Sequence, residues 1–215
     1  MPNWCNNNIK ITGPNKVIDK IEKIATNEKY EKASDGLLEY FYPMPKELRD
    51  TVADGSKRKA LQKKYGHDDW YGWAVENWST KWDIHEFYGV QRNEIGIDES
   101  ELLLGFDSAW APPIGAYEKF IDENSNISIR ATYHEPGCDF MGIWNNGDDV
   151  CYEISTIAPK GSQDKFWNTD DGKELDDLYG ITEYQAEYEA QKRDEDAIKV
   201  KELVVDKKAQ NMEGA

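Results

Sequence analysis

Cysteine is scarce in this chain of 215 residues. Cys5, Cys138 and Cys151 are far apart and form no CxxC pair, which excludes a disulfide scaffold and an all-cysteine zinc site. Reduced thiols are expected. Basic residues are few as well: 26 Lys and Arg stand against 42 Asp and Glu. The resulting net charge of −16 argues against a protein that holds nucleic acid by neutralising many phosphates. No direct nucleic-acid partner is expected. No apolar run is long enough for a membrane span, and Met1-Pro2-Asn3-Trp4-Cys5 lacks the basic and apolar regions of a signal peptide. No membrane partner is therefore expected, and the chain is expected to stay in the cytoplasm where it is made. A Gly-x-Ser-x-Gly elbow, a Walker or GxGxxG loop and a cysteine beside an evident base are all missing. No motif names a reaction, a cofactor or a metal.

What is present is bulk. Hydrophobic residues make up 39% and aromatics 12%, with 8 Trp, enough for a real core. Ile9 to Thr12 alternate apolar and polar before Gly13-Pro14, as a half-buried strand ending in a turn does. Val17, Ile18, Ile21, Ile24 and Ala25 then recur at helical spacing. From about residue 27 to 83 the pattern is less regular, which predicts an insertion carrying a short helix and then a strong one from Asp69. Ile84 to Ile97 and Glu101 to Phe106 read as strands, Pro112-Pro113 opens a helix, and Ile127 to Tyr133 is a further strand. Asn145-Asn146-Gly147-Asp148 marks a hairpin between Met141 to Trp144 and Val150 to Ile154. This order predicts an α+β protein, a ferredoxin-like sandwich with an inserted helical segment, a C-terminal hairpin and an acidic helical tail. The domain is expected to occupy 1–160 and to fold alone, with the tail over 161–215.

The densest signal runs from Asp69 to Asp83. At helical spacing Trp70, Tyr71, Ala74, Val75, Trp78 and Trp82 share one arc, read as core, whereas Trp73 falls outside it beside Asn77 and Thr80. A Trp on a polar arc either caps the insertion or offers a platform for a base, a peptide or another protein. A second candidate is His134-Glu135-Pro136-Gly137-Cys138-Asp139. Pro136-Gly137 breaks any helix, so the HExxH geometry of a zinc protease is not available. The commoner meaning is a turn whose Glu135 and Asp139 bond backbone N–H groups. Lys81 and Asp83 would pair with Glu135 or Asp139 if the aromatic helix crossed the strand end, giving either a polar pocket under Trp110 or a structural ion network.

Met1-Pro2-Asn3-Trp4-Cys5, Pro43-Met44-Pro45, Trp70-Tyr71-Gly72-Trp73, Asn77 to Asp83, Phe106 to Pro113 and Tyr133 to Gly142 together resemble the YubB-like family of phage- and plasmid-borne proteins. The resemblance covers about residues 1 to 145 and implies a ferredoxin-like domain and a mobile-element origin rather than a reaction. The fold name refers to topology: an iron–sulfur cluster needs four ligands, which three scattered cysteines cannot supply.

Between Ser162 and Ile198 twelve acidic side chains, Asp170, Asp171, Glu174, Asp176 and Asp177 among them, face four basic ones. Tyr184 to Lys208 is expected to be a helix whose aliphatic positions, Ala197, Val200 and Val204 with Ile198, Leu203 and Val205 beside them, occupy only its last third. Two function classes follow. One is a non-enzymatic phage or plasmid protein that engages a host protein with a basic surface through acidic and aromatic side chains, possible work for a counter-defence protein. The other is a pocket for a small, nucleotide-like ligand, lined by Trp73, Trp78, Trp110, Lys81 and the Glu135 to Asp139 turn. A cavity there favours the second, and a filled core with acidic rows outside favours the first. The candidate binding residues are Trp73, Lys81, Asp83, Trp110, Glu135 and Asp139.

Overall fold

The structure, a computed structural model, describes residues 3–27, 35–157 and 165–213, with side chains as far as Lys199. The expected domain limit at residue 160 and the expected aliphatic side chains Val200, Leu203, Val204 and Val205 lie outside the described part. The chain divides into two compact units, Met1–Ile154 and Ser155–Ala215.

The first unit is a mixed α+β structure around a six-stranded, wholly antiparallel sheet. Its elements are β1 (Trp4–Pro14), α1 (Asn15–Ala25), α2 (Leu37–Phe41), α3 (Lys46–Arg49), α4 (Lys59–Tyr65), α5 (Trp70–Trp78), β2 (Tyr88–Glu94), β3 (Glu99–Ala109), α6 (Ile114–Glu123), β4 (Ser128–Glu135), β5 (Phe140–Asn145) and β6 (Asp148–Glu153). The strands lie in the order β2-β3-β1-β4-β5-β6. β1 is central and reaches well beyond Ile9 to Thr12. Its first half reads as polar, yet Cys5 and Asn7 point inward in phase with Ile9 and Ile11. Asn7 is tolerated there because its Nδ2 donates to the Cys5 carbonyl at 2.8 Å and to Ser108 Oγ at 2.8 Å.

Period-two alternation gives the sheet one apolar face. Ile9 and Ile11 meet Leu104 and Leu102 on one side and Ala131 and Ile129 on the other, and Trp144 of β5 continues the layer. The inward residues of α1 (Ile18, Ile21), α2 (Leu37, Leu38, Phe41) and α6 (Ala116, Tyr117, Phe120) join the same core. Phe41 stacks on Phe120 at 4.2 Å, and Tyr117 sits 5.5 Å from Trp144. Among its described residues the insertion holds three short helices, not the one expected, ahead of α5. The hairpin at Asn145–Asp148 forms as read, with Asn146 and Gly147 at φ 49° and 104°.

Among its described residues the second unit contains two α-helices, α7 (Asp170–Tyr179) and α8 (Ile181–Glu213), parted by Gly180 at φ 61°. The sequence reading foresaw only a helix over 184–208. It missed the start of α7, where the Thr169 side chain accepts from Gly172 N–H at 3.0 Å and Asp170 and Asp171 lie in the first turn.

Candidate functional site

Helix α5 begins at Asp69, whose carboxylate accepts from Gly72 N–H at 3.0 Å, and stops at Ser79, which adopts φ 66°. The chain leaving it is tied down at once. The buried Thr80 hydroxyl donates to the Ala109 carbonyl at 2.9 Å, and Ser79 Oγ accepts from Gly115 N–H at 3.1 Å. These bonds set Lys81 and Trp82 beside the end of β3. There Trp110 takes a left-handed backbone, φ 71°, uncommon for a bulky side chain, and its N–H donates to the Asn3 carbonyl at 2.9 Å.

The result is an aromatic surface around one cation. Lys81 Nζ lies 4.5 Å from the Trp82 ring centre, 5.1 Å from that of Trp110 and 5.6 Å from that of Tyr71. Trp4 adjoins Trp82 at 6.1 Å, and Tyr71 meets Trp110 edge-on at 6.3 Å. Trp4 is 50% exposed, Tyr88 44% and Trp82 38%, high values for side chains of this size.

Beside these rings lies a cleft of about 480 Å³ between the segment 82–86, the start of β1 and the end of β3. Trp4, Trp82 and Tyr88 supply its rings, and Asp83, Glu86 and Asp107 its carboxylates. Tyr88 is seated by Gly105, since a side chain at that position would collide with the tyrosine ring and carbonyl. Its hydroxyl accepts from Asn6 Nδ2 at 2.5 Å and donates to Asp107 Oδ1 at 3.3 Å, while Asn6 Nδ2 also reaches Asp107 Oδ1 at 3.3 Å. His85 also lines the cleft, and burial lowers its pKa, which favours the neutral ring at neutral pH. Gly105→Ala is expected to displace Tyr88 and loosen the β2–β3 edge, read as faster amide exchange in β2 with the β1–β4 ladder unchanged.

The residues singled out from sequence fall in several places. Trp73 is only 4% exposed: it packs edge-on against Tyr42 at 5.1 Å and Trp78 at 5.5 Å, so it is a core residue and not a surface platform. Tyr71, Val75 and Trp82, assigned to the core by the same helical wheel, are exposed. Asp83 is a structural acceptor, taking N–H bonds from Leu38 at 2.6 Å, Ile84 at 2.7 Å and Glu39 at 3.1 Å. It thereby caps α2, although burial pushes its carboxyl up to about 7. Glu135 caps its own turn, accepting from Gly137 N–H at 3.1 Å and from Cys138 N–H. Asp139 stands in that turn at φ 62° and its carbonyl accepts from Ile154 N–H. Lys81 and Asp83 thus have other neighbours than Glu135 and Asp139, and the expected pairing is replaced by two separate arrangements. Asn3 links Trp110 to the turn, its carbonyl accepting from Trp110 and its side chain reaching Cys138 Sγ at 3.5 Å.

His134 and Glu135, as neighbours on a strand, project to opposite faces of the sheet. They therefore offer no joint metal site with Cys138. Among the described residues no group of three His, Cys, Asp or Glu gathers in a metal-holding arrangement. Burial holds the Cys5 thiol far above its ordinary value, and Glu135 raises that of Cys138, so both favour the protonated form.

In the tail the five acidic residues are not one row. Asp170 and Asp177 are exposed, whereas Asp171, Glu174 and Asp176 are half-buried. Asp176 accepts from the Thr182 N–H and hydroxyl, both at 2.8 Å, and so holds the start of α8. Trp4, Tyr88 and Asp107 were not singled out from sequence, and Trp82 was read as core. Trp82 could be separated from the helix only by recognising Ser79 as its end, and the strand partners of Trp4 and Asp107 carry no local signal.

No helix among the described residues is long and apolar enough to cross a membrane. No family model and no curated protein matches the chain. Among solved structures, a protein api92 from Yersinia pseudotuberculosis, of the DUF1281 family model, aligns over 71% of this chain and 98% of its own at 13% identity. The TM-score of that alignment is 0.34, too low to carry an argument.

Proposed function

We propose that this chain is a non-enzymatic binding protein of a phage or plasmid, acting in the host cytoplasm, that engages a host protein through its aromatic and acidic surface. The observation that carries this reading is the exposed set Trp4, Tyr71, Trp82 and Tyr88 gathered beside the cleft and Lys81. Large exposed aromatics clustered in one place are the usual anchors of a protein interface. The mobile-element origin rests on the resemblance of residues 1 to 145 to the YubB-like family. A ferredoxin-like core is part of the same proposal. It is supported by the succession β1-α1-β2-β3-α6-β4 and the strand order β2-β3-β1-β4, extended by β5 and β6.

The cleft's volume and aromatic walls also favour a small-ligand reading. That reading stands second, because the exposed Glu86 and Asp107 give the cleft the wrong sign for the phosphates of a nucleotide.

The test compares retention of a host protein on the immobilised chain and on two variants. Trp82→Ala is expected to reduce retention about tenfold or more. Asp170→Asn with Asp177→Asn is expected to slow association only at low salt, since exposed charges act by steering. The tail pair is restricted to those two because Asp176 has a structural task. Retention unaffected by Trp82→Ala would overturn the reading.

A further inference from the structure

We propose that the cleft between Trp4, Trp82, Tyr88 and Asp107 receives an arginine side chain of the partner protein, an inference that rests on the binding reading above.

Charge is the first argument. The ten residues that line the cleft include Asp83, Glu86 and Asp107 and no Lys or Arg. His85 adds no positive charge at neutral pH, because burial disfavours its imidazolium form. Asp83 is occupied with backbone N–H groups, but Glu86 and Asp107 are exposed, so a cation entering from water meets these two carboxylates with no basic side chain in the wall, inside the field of a chain of net charge −16.

The rings are the second. A cation is attracted by the face of an aromatic ring, best of all by tryptophan, and Trp4, Trp82 and Tyr88 border this space. The chain itself shows the preference, since the Lys81 ammonium lies over Trp82, Trp110 and Tyr71. Lys81 itself is not among the residues that line the cleft.

Geometry is the third. Asp107 is held in place through Oδ1, which accepts from Asn6 and Tyr88 at 3.3 Å each. Neither of those bonds uses Oδ2. An oriented carboxylate beside aromatic faces suits the planar guanidinium, which donates along its edge while stacking on a ring. An ammonium cannot do both as well, being compact and more strongly hydrated. About 480 Å³ is more than one side chain fills, so the arginine enters with the backbone of its neighbours.

Calorimetric titration of the full chain at low salt tests this with three short peptides, identical except for arginine, lysine or citrulline at the central position. The arginine peptide is expected to bind at least about tenfold more tightly than the citrulline peptide, which has the same shape without the charge, and more tightly than the lysine peptide. Asp107→Asn, a change at an exposed position, is expected to cost about tenfold, and Trp82→Ala at least as much. The Asp170→Asn, Asp177→Asn variant is expected to change affinity less than about threefold. Equal binding of the arginine and citrulline peptides, unchanged binding by Asp107→Asn, or no binding of the arginine peptide would each overturn the proposal. If host-protein retention still required Trp82 but not Asp107, the arginine would be wrong and the binding surface right. If it required neither, both would fall.

Discussion

Trp73→Ala is expected to destabilise the first unit by about 3–5 kcal/mol, as much as Trp78→Ala, while leaving host-protein retention on the folded fraction unchanged. Both rings are buried, they meet edge-on at 5.5 Å, and Trp78 Nε1 donates to the Tyr42 carbonyl at 2.8 Å. Either truncation leaves a cavity between α5 and the Tyr42 break that the rest of the core, locked by Phe41 and Phe120, cannot fill. The effects of the two are expected to be non-additive, since each removes the other's partner. Chemical denaturation of both single variants and the double variant reads this directly. A loss below about 1 kcal/mol for Trp73→Ala would mean that its site collapses without cost.

That expectation reverses the one a helical wheel gives, and the reason is physical. A wheel assumes that the helix continues at 100° per residue, but α5 ends at Ser79, so Trp82 does not belong on it. Removing Trp82 moves the apolar centre of the wheel only by about 10°, which leaves Trp73 outside the arc. The deciding cause is tertiary: Tyr42, some thirty residues upstream, covers Trp73, and nothing in the local sequence announces this. Elements whose pattern is self-contained were legible. The amphipathic α1, the Pro-initiated α6 and the Asn146-Gly147 hairpin each carry their own period or turn chemistry. The first half of β1 was not, because Asn6, Asn7 and Asn8 show no apolar alternation, and their place in the strand becomes evident only when Asp107, Phe106 and Gly105 are set opposite them.

The site divides in the same way. Lys81 and Trp110 were visible because unusual residues crowd there, and the structure does place them together. Glu135 was legible in its plainer meaning, as the cap of a Pro-Gly turn. The cleft itself draws on β1, β2, β3 and the 82–86 segment, four pieces of chain united only by register. Register across a sheet follows from the buried face of every strand at once, so no window of sequence contains it.

Arg49→Met is expected to produce the other large loss, about 3 kcal/mol at pH 8, and one that shrinks as the pH is lowered toward 4. Glu39 is buried on α2, and Arg49 grips it with two bonds, Nε to Oε1 at 2.8 Å and Nη2 to Oε2 at 2.5 Å. Arg49 also donates to the Met44 carbonyl, and Glu39 accepts from Met44 N–H, so the pair closes the Pro43-Met44-Pro45 break. Even with this partner, burial holds the Glu39 carboxyl above its ordinary range, and it holds Asp83, on the same helix terminus, at about 7. The sign follows from proton counting. Where the folded value is raised, the native state keeps a proton that the unfolded chain has released, so the stabilising contribution is full below the unfolded value near 4 and is lost as the pH rises through the folded value. The stability of the natural chain is therefore expected to decline between about pH 4 and 7. Without Arg49 the Glu39 value rises further and the decline steepens, whereas Asp83→Asn, which removes one titrating group, flattens it. Unfolding free energies of the three proteins at pH 4, 6 and 8 decide the matter. A loss from Arg49→Met that is equal at pH 4 and pH 8 would show that the guanidinium acts through packing and its bond to Met44, and not by neutralising a buried carboxylate.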